Sequence, residues 1–230
     1  QRMEPHDSFY IGDHVFYTYL VYNDLWDLHI QQQGETDYAI ATVLAEKINC
    51  GVFPENIREQ LRRMLEYFGQ ASIIVRSSSM LEDGFGNAFA GKYESVFCGN
   101  QGTLEQRLEK LEEAIRIVYA STINPSALEY RRKRGLDQLE EQMSILVQRV
   151  SGSLYGNYFF PSLGGVGYSR DIYAFKDRKK SQKGMLRLVA GLGTRAVDRT
   201  DSDYPRMVHL EKPSHTYMTT MDERAKFSQR

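Results

Sequence analysis

The sequence predicts an α+β fold, a mixed α/β arrangement without the regular strand–helix alternation of a parallel sheet. Three observations carry that reading. Amphipathic stretches with helical spacing fill the N-terminal third and return after Thr103. Short β-branched or wholly apolar runs, several of them bounded by glycine, stand at 71–75, 93–98, 143–150 and 184–190. These runs cluster in places instead of being separated one by one by helices, which favours mixed layers.

The elements follow in order. Ser8–His29 is rich in aromatic residues, and from Asp13 its apolar positions Val15, Tyr19, Tyr22 and Trp26 recur at helical spacing, the pattern of a core-facing stripe. Asp37–Asn49 and Glu55–Phe68 read as amphipathic helices, the second opening after Pro54. Ala71–Val75 has a strand's character and ends at Arg76, after which Ser77-Ser78-Ser79 and an acidic, glycine-bearing stretch read as a loop. A second strand-like run, Tyr93–Cys98, stops at Gly99-Asn100. Thr103 fits an N-cap, and Leu104, Leu108, Leu111, Ile115 and Val118 mark a long helix closed by Pro125. Ser126–Arg134 reads as a further helix ended by Gly135, and Met143–Val150 as a buried strand. From Ser151 to Tyr168 the composition turns to glycine and aromatics, which predicts hairpins and a lobe boundary near residue 150. Gly184–Ala190 is the last strand candidate and runs into Gly191-Leu192-Gly193.

With 230 residues, 41% of them hydrophobic, the chain has enough apolar surface for a sizeable core in one large domain or two lobes. A formal net charge of −1 gives no bulk attraction to nucleic acid or to an anionic membrane. The basic run Arg131–Arg134 is explained at least as well by a solvated helix end as by a phosphate-binding patch. Cys50 and Cys98 lack metal-ligand or disulfide spacing, which fits a reducing cytoplasm. No apolar run approaches the ~18 residues that span a bilayer. His6, His14, His29, His209 and His215 have no acid or cysteine at useful spacing and read as surface or hydrogen-bonded residues. The missing initiator methionine and the polar tail predict a chain truncated at both ends.

Arg76–Ser95 carries the chemistry. Arginine offers a fixed fork of donors to phosphate oxygens, and small residues let backbone N–H groups approach an anion. Arg76, the hydroxyls of Ser77 and Ser78, and Gly84, Gly86 and Gly91 supply both. The alternative is an ordinary loop with Arg76 paired to Glu82 or Asp83. The stretch Gly86–Tyr93 fits GxxxxGK, but a tyrosine follows where a P-loop needs serine or threonine. The preceding strand also ends about ten residues early, and a strand follows instead of a helix, so a P-loop is excluded.

Ile74-Val75-Arg76-Ser77-Ser78-Ser79-Met80-Leu81-Glu82-Asp83, followed by Ala88-Phe89-Ala90-Gly91-Lys92-Tyr93-Glu94-Ser95, resembles the VRSSATAEDxxxxSFAGQxxT pattern of the pyruvate phosphate dikinase and phosphoenolpyruvate synthase family. Val147-Gln148-Arg149 resembles that family's VVVQ strand, and Gly191-Leu192-Gly193 its GLGE element; the likeness runs from about Phe9 to Val197. The resemblance implies an ATP-grasp-like nucleotide-binding region spanning residues 1–230, with ATP and Mg2+ as cofactors. By matching position, Arg76 would contact phosphates, Ser77 and Ser78 would add hydroxyls, Gly91 and Ser95 would line the nucleotide loop, and Gln148 would sit beside the adenine. It further implies a dikinase-type transfer, from ATP to a histidine on a separate swivelling domain and then to pyruvate. No catalytic or metal-ligating residue is assigned within the chain.

The departures mark a divergent branch. The family's glycine-glycine-lysine loop has no counterpart before Ser8, and its late acidic and Gln-Thr-Arg elements and its phosphohistidine segment are absent, so the chain is expected to be inactive alone. Tyr155–Gly167 replaces a conserved segment, and Thr194 stands where the family has glutamate. Two alternatives therefore stand beside pyruvate phosphorylation: the same architecture with an antibiotic hydroxyl or a glucan as acceptor, or a nucleotide-sensing domain that has lost catalysis.

Overall fold

In a computed structural model of the chain, residues 7–33, 38–79, 92–136, 140–170, 184–193, 205–211 and 213 are described. They fall into two compact units, Gln1–Val150 and Ser151–Arg230. The architecture is mixed α+β with antiparallel sheets, as the sequence predicts, and it agrees with an ATP-grasp-like domain.

The first unit runs β1 (Ser8–Ile11), α1 (Asp13–Tyr22), α2 (Trp26–Gln32), α3 (Ala39–Cys50), α4 (Glu55–Phe68), β2 (Ile73–Ser79), β3 (Ser95–Cys98), α5 (Leu104–Ser121), α6 (Pro125–Lys133) and β4 (Met143–Arg149). Its sheet has the order β1-β4-β2-β3, with every neighbouring pair antiparallel. Helix α4 forms because Ile57, Leu61, Met64, Leu65 and Phe68 fall on one face, and all five are buried. Helix α5 starts with a complete capping box between Thr103 and Gln106. Asn124 caps α6, whose first residue is Pro125. Side chains alternate along the strands, so Ile73, Val75, Met143, Ile145 and Val147 enter the core with α1 and α5 above them.

The structure corrects several expectations. The aromatic stretch begins as an edge strand, β1, and its helix breaks at Asn23-Asp24-Leu25, where Asp24 has a φ of 56°. Asn23 fixes that break through paired bonds to Val52, Nδ2 to O at 2.9 Å and N to Oδ1 at 2.8 Å. Val15 and Tyr19 are core, but Tyr22 and Trp26 are 55% and 37% exposed, so the predicted stripe holds only for its first two positions, within α1. Helix α5 ends at Ser121, and Pro125 opens the next helix instead of closing this one. Arg76 lies in the middle of β2, and Ser77–Ser79 continue the strand. Their pairing with Ile145, Ser144 and Met143 of β4 overrides the loop preference of a serine run.

The second unit holds a β5–β6 hairpin (Ser153–Tyr155, Tyr158–Phe160) and a three-stranded antiparallel sheet of β7 (Leu163–Tyr168), β8 (Met185–Ala190) and β9 (Arg206–His209). The hairpin and β8 answer the sequence reading; β9 had no counterpart in it. Gly165 permits close backbone approach, because a Cβ there would overlap the Arg187 carbonyl. A Cβ on Gly164 would lie 2.6 Å from the Gly193 nitrogen, so the Gly191-Leu192-Gly193 element packs on the β7 backbone. No helix among the described residues is long and apolar enough to cross a membrane.

Candidate functional site

Sheet register sorts the predicted site residues by face. Arg76 stands opposite Ser95 on β3 and Leu146 on β4, and Leu146 stands opposite Tyr10 on β1. The neighbouring row is Ser8, Gln148, Ile74 and Phe97. Ser78 and Ser144 pair in the row on the other side of Arg76. Period-two alternation places all of these on the face opposite the helices α1 and α5. The face is open: Arg76 and Ser95 are exposed, Tyr10 and Phe97 are 73% and 43% exposed, and Ile74, Leu146, Ser78 and Gln148 are half-buried.

Ser77 does not belong to this group. It points to the helix-covered side with Val75 and Ser79 and is 7% exposed. The pleat thus separates the two hydroxyls that the sequence reading combined. Gly91, like Glu82, Asp83, Gly84, Gly86 and Thr194, lies outside the described residues.

Among the described residues no hydrogen bond or ion pair engages the Arg76 guanidinium. It carries the only formal charge among the described strand residues of the open face, over an apolar floor of Ile74 and Leu146. The Gln148 amide donates to Ser8 Oγ at 3.1 Å, which fixes its side chain along β1. The chemistry this offers is anion capture: a planar, permanently charged fork beside two hydroxyls, with no carboxylate in competition among the described residues. Among the described residues no group of three His, Cys, Asp or Glu could hold a metal ion.

The segment entering β3 is pinned from behind. The Tyr93 hydroxyl hydrogen-bonds Glu141 Oε2, the Glu94 N–H donates to Ser121 Oγ at 3.1 Å, and the Lys92 ammonium lies 5.4 Å from the Tyr130 ring. Arg131 completes this anchor, with Nη1 3.8 Å from Glu141 Oε2 and Nη2 donating to the Thr122 carbonyl at 2.9 Å. The predicted solvated helix end is therefore partly wrong: Arg131 is buried, while Lys133 pairs with Glu129 at the surface. His29 is a second correction. It is 5% exposed, meets Phe16 edge-on and Trp26 at a tilt, and neither ring nitrogen has a hydrogen-bond partner among the described residues. Burial lowers its pKa from the ordinary 6.5. His29, Glu141 and Arg131 border one cavity of about 40 Å3. The sequence held no signal for this cluster, since its members lie on α2, α6 and the approach to β4.

Comparison with known proteins places the chain in a family. Over 134 residues, 57% of this chain, the sequence is 30% identical to the uncharacterized phosphotransferase YvkC of Bacillus subtilis strain 168. That match spans 14% of the relative's length. The profile described as "Pyruvate phosphate dikinase, AMP/ATP-binding domain" matches residues 1–229, and the chain belongs to that family.

Proposed function

We propose that the open face of the four-stranded sheet holds the phosphates of ATP, as the nucleotide-binding part of a dikinase-type phosphotransferase. The observation that carries this is Arg76, an exposed guanidinium on a central strand that, among the described residues, has no ion-pair partner and no other charged strand residue on its face. Ser78 and Ser95 flank it and would donate to phosphate oxygens, and Gln148 would bind farther along the nucleotide. Mg2+ would enter with the triphosphate and share its charge. This chain's contribution is positioning and charge neutralisation, which is most of what phosphoryl transfer asks of a protein. Ser77, on the covered face, has no part in it. The acceptor reading follows the family: a histidine on a swivelling domain of the longer protein, then pyruvate, in the cytoplasm. The match to a relative carrying the phosphotransferase name supports the reaction class.

Calorimetric titration of Mg·ATP tests the reading. A charge-assisted contact contributes about 1.5–3 kcal/mol, so Arg76→Ala should weaken binding roughly 10- to 150-fold with unchanged circular dichroism. Equal affinity in the variant would exclude Arg76 as the phosphate ligand.

A further inference from the structure

We infer that Tyr10 is the platform on which the nucleobase stacks, a role that rests on the nucleotide reading of the open face. Tyr10 is 73% exposed on an edge strand, and it shares one cross-strand row with Leu146, Arg76 and Ser95. Lone exposed aromatics are ordinary. This one is continuous with an apolar floor that leads to a cation without an ion-pair partner among the described residues, because Leu146 separates Tyr10 from Arg76 in the register.

Two inter-strand spacings put the Tyr10 and Arg76 backbones ~10 Å apart. A ligand that bridges them has an aromatic ring at one end and an anion at the other, with a neutral spacer between. A nucleoside triphosphate has that order of parts: base, ribose, phosphates. Gln148 follows Leu146 by two residues on the same face, so its amide lies diagonally beside Tyr10, within reach of a stacked base's polar edge. The other exposed aromatic of the face, Phe97, is placed differently. It stands opposite Ile74 and diagonal to Arg76, ~7–8 Å away, which leaves less room for the ribose. The Tyr10 side of the face is therefore assigned to the base and the Arg76–Ser95 side to the phosphates.

The test titrates the chain with Mg·ATP and with Mg·tripolyphosphate, which has the anion but neither base nor ribose. Tyr10→Ala should weaken ATP binding roughly 5- to 150-fold, the range of ~1–3 kcal/mol for one base on one aromatic ring, and leave tripolyphosphate affinity unchanged. Tyr10→Phe should retain ATP affinity, since the ring and not the hydroxyl is used. Arg76→Ala should weaken both ligands. If Tyr10→Ala binds ATP as the parent does, or if Phe97→Ala takes the loss instead, the assignment of Tyr10 is wrong while the phosphate reading stands. Equal losses for ATP and tripolyphosphate in Tyr10→Ala also overturn it, by showing a general disturbance of the face. Should the parent bind neither ligand, the nucleotide reading fails and this inference fails with it.

Discussion

Replacing Arg131 with methionine should destabilise the first unit severely, although the side chain touches no residue of the open face. Arg131 is 8% exposed and Glu141 4%. The guanidinium sits 3.8 Å from Glu141 Oε2 and donates to the Thr122 carbonyl at 2.9 Å. Methionine keeps much of the apolar stem and removes the charge and both interactions. Glu141 is then a buried carboxylate held by the Tyr93 hydroxyl alone, with Oε1 unpartnered from the start. Breaking a buried pair by removing one member costs about 3–5 kcal/mol, because the remaining charge stays desolvated. In a chain of this size each kcal/mol moves Tm by roughly 2–4 °C, so the midpoint should fall by about 6–20 °C. Trp26, the only tryptophan, lies in this unit, so its fluorescence follows the relevant transition. The double variant Arg131→Met/Glu141→Gln removes the orphaned charge and keeps an acceptor for Tyr93, so it should recover most of the loss. A single-variant cost under about 1 kcal/mol, or a double variant no better than the single, would refute the buried-charge account.

Two further outcomes are expected. His29 is buried without a hydrogen-bond partner among the described residues, and its pKa lies below the ordinary 6.5, mainly through desolvation, with Glu140 opposing and Arg131 adding to the shift. The unfolded chain therefore takes up a proton near pH 6.5 that the folded chain refuses, so stability falls as pH drops below that value, by at most about 1.4 kcal/mol per pH unit. Urea unfolding at pH 7.5 and 5.5 should show a shallower pH slope for His29→Phe than for the parent; identical slopes would discharge His29 from the effect. Gly51→Ala should cost about 1–3 kcal/mol by overpacking, since the new Cβ would overlap the Tyr19 hydroxyl that donates to the Ile48 carbonyl at 2.6 Å. Thermal unfolding indistinguishable from the parent would show that this corner relaxes.

What was legible in the sequence follows from how far each signal travels along the chain. Helix α4 declares itself because every residue it buries lies within its own fourteen positions. The capping box at Thr103 spans three residues and reads equally well. Strand β1 does not, since four residues merge into an aromatic stretch and their partner β4 lies more than 130 positions away. The Asn23 break is hidden for a similar reason, because the groups that fix it belong to Val52. Ser77–Ser79 mislead in the opposite sense: their composition favours a turn, and only the β4 ladder reveals a strand. Arg76 is singled out by its motif, but its face is not readable there, because that needs the strand to extend through it.

That extension changes the chemistry of the motif. Were Arg76 the last residue of a strand opening into a loop, its neighbours Ser77 and Ser78 could turn towards the same ligand. Held within β2, they are forced apart by the pleat, one to the core and one to the open face. The partners of Arg76 then come from across the sheet: Ser95 from β3, Leu146 and Gln148 from β4, Tyr10 from β1. Strands β2 and β4 are the two central ones, and central strands covered on both sides are apolar throughout. Here the covered side is mainly apolar, with Ser77 and Ser79 among its residues, and the open side carries Arg76, Ser78, Ser144 and Gln148 beside Ile74 and Leu146. A sheet whose central strands place a charge and three polar side chains on one face has that face for a polar ligand or for water, and the lack of any other charge among the described strand residues around Arg76 favours an anion.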